Sequence, residues 1–179
     1  MNSIKILLSV FALSTFTIAC KNSKPESQIA ETKSQIKQLE DSLIAAPVGK
    51  NYQSHAPELV KLMSDYVEKN PKDTISAMYL FKAGDISRGL GKFDDAINFW
   101  QSLCEKYPDH RRAPDALFLQ AFTFENDVKD LNKAKNLYEE FLKKYPNHAF
   151  SANIPVILEN LGKSPEELIE AFKKKNQKK

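Results

Sequence analysis

Glycine, histidine and cysteine are all scarce in this chain of 179 residues, and each scarcity excludes a class of chemistry. Five glycines, none grouped as a phosphate-cradling loop or as the strand-to-helix elbow G-x-S-x-G, argue against nucleotide-binding and serine-hydrolase motifs. Three histidines, at positions 55, 110 and 148, show no H-x-x-x-H spacing and no neighbouring cysteine, so no metal site is legible. No metal ligand, cofactor or catalytic residue is assigned, and the chain does not read as an enzyme. Two cysteines in a chain this long build no disulfide framework. A large single-sign charge is also missing. The net charge of +3 is outweighed by five lysines at the end, Lys173, Lys174, Lys175, Lys178 and Lys179. The remainder is slightly acidic, which excludes a basic nucleic-acid surface. The lysine tail, residues 173–179, reads as a solvated terminus.

The one uncharged apolar run, Ile6 to Ala19, is too short to span a bilayer, which takes about 20 apolar residues. It suits the core of a secretory signal after the basic Lys5. It ends on Thr17-Ile18-Ala19-Cys20, with a small side chain immediately before the cysteine. This resembles a bacterial lipoprotein signal, although the pattern prefers Leu where Thr17 stands. The resemblance implies a leader over residues 1–19, lipidation of Cys20 and attachment to a membrane. No acidic residue follows Cys20 directly, which in lipoproteins looks like an address at the outer membrane, facing the periplasm. Cys104 then has no partner, and its setting in "INFWQSLCEKY" reads as a buried inert thiol.

What the chain has in abundance is helix-forming residues and an internal repeat. "GLGKFDDAINFWQSLCEKYPDH", Gly89 to His110, aligns without a gap on "DVKDLNKAKNLYEEFLKKYPNH", Asp127 to His148, at an offset of 38 residues. Upstream, Tyr79, Leu80, Ala83 and Ile86 fall on Leu117, Phe118, Ala121 and Phe124. Weaker copies flank the pair at Leu59 to Asp73 and at Asn160 to Lys175. A self-match of this period marks a helical repeat array. Ala96, Trp100, Leu103 and Tyr107 lie on one helical stripe, as do Ala134, Tyr138, Phe141 and Tyr145. Pro108 and Pro146 end the second helix of a unit, Pro114 opens the next first helix, and Gly89 and Gly91 serve the turn inside the unit. His110 and His148 share one junction position.

Gly84, Gly91, Ala96, Trp100 and Pro108, followed by Ala121, Ala134, Tyr138 and Pro146, resemble the tetratricopeptide (TPR) repeat. The resemblance covers about Leu59 to Phe172. It departs where Phe122 stands for the close-packing glycine, in units longer than the standard 34 residues, and at Pro155 inside the last first helix. The longer spacing looks like the TPR proteins of the Gram-negative envelope, among them barrel-assembly and Tol–Pal-associated proteins. The expected fold is all-α, a TPR-like solenoid of helical hairpins over residues 57–172. Before it come the signal peptide and a tether, residues 20–56, with one short polar helix from Glu26 to Ala45 that reads either as part of the tether or as packed on the array. "AAPVGKNYQSHAP" reads as a linker, with Pro57 restarting helix.

The resemblance implies a scaffold that binds a peptide or partner protein in a concave groove lined by first helices. The spacing selects Met78, Phe81, Asp85 and Arg88, then Ala116, Leu119, Thr123 and Asn126, for that face. Lys-Asn pairs of the kind that clamp a terminal carboxylate are absent from the set. The competing expectation is an assembly component of an outer-membrane complex that self-associates through the Glu26–Ala45 helix.

Overall fold

The computed structural model describes residues 25–45 and 50–176. Cys20 and the proposed leader lie outside them. Among the described residues there is no strand. The helices are α1 (Pro25–Ala45), α2 (Lys50–Lys69), α3 (Ser76–Gly89), α4 (Phe93–Lys106), α5 (Ala113–Thr123), α6 (Leu131–Lys144), α7 (Ile154–Asn160) and α8 (Pro165–Asn176). A π turn, Phe124–Val128, continues α5, and a 3-10 turn, Ala149–Ala152, precedes α7. From α1 to α6 each helix packs on the next. This is the all-α hairpin solenoid that the repeat implies.

The ends of the helices follow from local chemistry. α4 opens with Asp94 and Asp95 and closes with Lys106, each complementing the helix dipole. Asp130 caps α6 by accepting a hydrogen bond from the Lys133 N–H at 3.0 Å. Tyr107 and Tyr145, the residues before Pro108 and Pro146, leave the helical region with φ of −135° and −130°. At each junction a side chain then accepts the backbone N–H two residues on. Asp73 takes that of Ile75, His110 that of Arg112 and His148 that of Phe150. The two histidines are thus turn caps, as their shared position suggested.

Left-handed backbone occurs at three described residues, Gly91 (φ +74°), Lys129 (φ +65°) and Gly162 (φ +78°). Each sits in the turn inside one hairpin. Gly91 and Gly162 adopt this conformation without steric cost. Lys129 keeps the turn without the glycine.

The core runs between the layers. Ala96, Trp100 and Leu103 from α4, and Ala134, Tyr138 and Phe141 from α6, have no exposed surface. Each large side chain among them contributes about 1.5–3 kcal/mol by burial. The Trp100 indole donates to the Phe81 carbonyl at 3.2 Å, and the Tyr138 hydroxyl donates to Glu125 at 2.7 Å. A methyl on Gly84 would lie 2.3 Å from the Trp100 Nε1, so glycine there is a packing requirement.

Two expectations need correction. The two middle units are not related by one offset. The inward residues of α3, Ser76, Tyr79, Leu80, Ala83 and Gly84, correspond to Ala113, Ala116, Leu117, Gln120 and Ala121 in α5, 37 residues on, and all ten are buried. The second helices keep the offset of 38. The π turn takes up the extra residue, which is what one wider helical turn does. Ala121, not Phe122, therefore stands in place of Gly84.

The second correction concerns α2. It begins at Lys50 and carries Pro57 within it, where the sequence suggested a linker ending at that proline. α1 takes the second of the two places expected for it, packed on the array rather than free as a tether. Ile36 is 1 % exposed, and Ile29, Leu39 and Leu43 pack against the same core. Lys33 pairs with Asp73 at 2.7 Å and Glu40 with Lys82 at 2.6 Å. The stripe that would serve self-association is turned inward. At the other end, Pro155 falls in the first turn of α7, where a missing N–H is harmless, and α7 is only two turns long.

Candidate functional site

α3 and α5 are the first helices of the two middle units, and they place part of the expected set around one concavity of about 460 Å3. Asp85, Arg88 and Leu119 line it, together with Trp100 at the base and Asp127 from the π turn. The remaining expected residues lie elsewhere. Met78 is half-buried and Asn126 is exposed, its amide donating to the Phe122 carbonyl at 3.0 Å. Phe81 is only 8 % exposed, and Thr123 and Ala116 are fully buried. Phe81 and Thr123 were expected on the groove surface; both are core. For Thr123 the reason is the shifted register, because the one-residue change in offset turns α5 by about 100°; Phe81 lies in α3, and the Arg112 guanidinium covers its ring. The shifted register carries Thr123 inward and leaves Asp115 and Phe122 partly exposed.

The charges of this face are paired across elements. Arg88 donates through Nε to Asp127 at 2.7 Å, and its guanidinium lies 5.0 Å from the centre of the Phe122 ring. Arg112 donates to Asp115 at 2.8 Å and lies 4.9 Å from the centre of the Phe81 ring. The Arg112 Nε is buried without a partner. Each arginine is thus held between a carboxylate and an aromatic face, an arrangement suited to a flat, weakly hydrated cation.

Asp85 has no hydrogen bond or ion pair among the described residues. Removal from bulk water pushes its carboxyl up to about 6, with Asp115 adding to the rise and Arg112 and Arg88 opposing it. The residue is nevertheless exposed at the mouth. The shift therefore describes how readily the carboxylate loses its charge, not a large contribution to fold stability.

Sequence reasoning did not select Arg112, Asp127 or Phe122. Arg112 precedes α5 and Asp127 lies in the π turn, so neither belongs to a regular helical stripe. Aligning the small residues Gly84 and Ala121 would have revealed Phe122.

A larger concavity of about 800 Å3 is lined by α4, α5 and α6. Cys104 lies in it, half-buried, its thiol directed at the Ala113 carbonyl at 3.4 Å. Burial pushes the thiol up to about 11, which leaves little thiolate for reaction. Among the described residues no group of histidine, cysteine and carboxylate side chains has the geometry to hold a metal ion.

These features define a helical repeat array whose first helices carry a mixed apolar and charged cleft. Residues 79–110 and 115–148 both match the tetratricopeptide repeat family. The chain thus carries two stretches, α3–α4 and α5–α6, that are similar to this repeat. No curated protein matches the chain. Repeats of this family bind proteins or peptides.

Proposed function

We propose that the protein is a binding scaffold of the bacterial cell envelope. It is tethered by lipid on Cys20, at the outer membrane facing the periplasm, and presents the α3–α5 face to a peptide or partner protein. The observation that carries the binding reading is the concavity between the first helices of the two matched repeats. It brings an apolar wall, Leu119, beside unevenly matched charges, the mixture from which recognition anchors are built. The anchoring reading rests on the Ile6–Ala19 run and the small residue before Cys20. Several acyl chains at about 0.8 kcal/mol per buried methylene hold a protein durably.

Two measurements test the proposal. Cross-linked pull-down from detergent-solubilised envelope should capture a partner with the native chain and lose it with Leu119→Glu. If the substituted protein captures the same partner, this face is not the site. Fractionation should place the native chain with membranes and release Cys20→Ser or leave it unprocessed. A Cys20→Ser protein that is processed and sediments unchanged would remove the lipid anchor.

A further inference from the structure

We propose that the α3–α5 cleft takes a lysine or arginine side chain of the partner segment, with Asp85 as its counter-charge and Leu119 as the wall for its apolar stem. This deepens the binding reading above and rests on it.

The inference comes from counting which charges are already satisfied. Three ionisable groups line the cleft, Asp85, Arg88 and Asp127, and Arg112 and Asp115 lie close enough to act on the Asp85 charge. Arg88 is matched by Asp127 at 2.7 Å and Arg112 by Asp115 at 2.8 Å. Each guanidinium also covers an aromatic ring. An anionic ligand would have to break one of these pairs and strand a carboxylate, which is costly in a partly desolvated site. A cation need break nothing, because Asp85 is the one unmatched group and leaves the set with a single excess negative charge. Both pairs hold their cations away from competing for Asp85 through a direct bond.

The shape agrees with a long cationic side chain rather than a bare ion. A lysine or arginine carries an apolar stem under its charge, and the cleft offers Leu119 beside Asp85, over the buried Trp100. A bare metal ion would require several converging oxygen ligands, and Asp85 provides a single carboxylate. The raised carboxyl of Asp85 is consistent with this assignment. In the free protein its charge is poorly compensated, and a bound ammonium or guanidinium supplies the missing compensation.

The test uses the full-length chain and three matched peptides differing only in one central residue, lysine, norleucine or glutamate, flanked by leucine and serine. Binding is followed by amide chemical shifts, which report affinity and location together. The lysine peptide should bind about tenfold more tightly than the norleucine peptide, as one charge-assisted contact supplies. Its shifts should centre on Asp85, Leu119 and Asp127. Asp85→Asn should remove the difference in affinity between the lysine and norleucine peptides. Glu105→Gln, in the larger concavity and not in this cleft, should change nothing. Equal affinity for lysine and norleucine, or a preference untouched by Asp85→Asn, would overturn the assignment. If the norleucine or glutamate peptide nevertheless shifts the same amides, the binding face stands and only its charge preference falls. If none of the three shifts these amides, the face itself is wrong and the assignment fails with it.

Discussion

The two middle hairpins use one repeat and differ by one residue. α3–α4 places Gly84 against Trp100 and makes its turn at Gly91. α5–α6 places Ala121 in the cluster with Tyr138, passes through a π turn and makes the corresponding turn at Lys129. The second helices stay in register while the first helix of the second unit is rotated. An insertion in a repeat array therefore need not disturb packing, provided one turn absorbs it; it changes instead which side chains reach the binding face. Thr123 is buried and Phe122 half-exposed for this reason, although Thr123 stands 38 residues after the exposed Asp85.

The most direct way to break the comparison is to exchange the packing pairs. Gly84→Ala should destabilise the protein by about 3 kcal/mol, since its methyl meets a rigid buried indole. Trp100→Tyr should cost about 2 kcal/mol by leaving a void and freeing the Phe81 carbonyl. The double substitution recreates the pairing of the second unit. It should be less destabilised than the sum of the two by about 1 kcal/mol or more. Denaturant unfolding of the four proteins measures this coupling, and strict additivity would show that the two positions are not a matched pair. Ala121→Gly, by contrast, should cost only about 1 kcal/mol, the helix-propensity difference. Phe81→Ala should behave as a core truncation, with a loss of about 3 kcal/mol, because the ring is covered by Arg112.

Much of this architecture was readable from the residues. The alanine–aromatic stripes of α4 and α6, the prolines after them and the paired histidines are local signals repeated in one register, and repetition made them conspicuous. The fold followed. The position of α1 was less legible, because a stripe of Ile29, Ile36, Leu39 and Leu43 has the same spacing whether it faces a partner or its own array. The candidate site was legible only in part. Asp85, Arg88 and Leu119 were found by helical spacing in α3 and at the middle of α5. Arg112, Asp127 and Phe122 were not, since their placement depends on a junction and a π turn that no periodic pattern announces.

A smaller effect sharpens the comparison at the turn. Lys129 holds the left-handed conformation with a side chain, and Gly91 holds it without one. Lys129→Gly should raise stability by about 1 kcal/mol and Gly91→Lys should lower it by a similar amount. The pair of changes should nearly cancel if the turns are equivalent. A Lys129→Gly protein with an unchanged or lower unfolding midpoint would show that the lysine side chain contributes something glycine cannot replace.

The smallest expected effect separates the junctions by pH. His110 accepts the Arg112 N–H through Nδ1 at 3.3 Å, whereas Asp73 serves the Ile75 N–H. Burial, with Arg111 and Arg112 nearby, holds the His110 imidazole below its ordinary 6.5. Hydrogen bonds from Lys33 and Tyr66 pull Asp73 down to about 2. A group whose folded value is depressed contributes stability that is present above its unfolded value and lost as pH falls through the folded one. The His110 junction should thus weaken as pH falls below 6.5, whereas the Asp73 junction should hold until pH falls below 3.8 and be lost progressively toward about 2. Asp85 acts in the opposite sense. Its raised carboxyl, set among Arg88, Arg112 and Asp115, favours the fold at low pH and less so as pH rises through about 6. The two slopes therefore overlap between pH 5 and 7, and the measurement belongs in an Asp85→Asn background. There, unfolding midpoints should fall toward pH 5 by an amount equivalent to less than about 1 kcal/mol. His110→Asn, which keeps a neutral acceptor, should flatten the slope. A slope that persists in His110→Asn would assign the titration to another group and leave the histidine cap without a pH role.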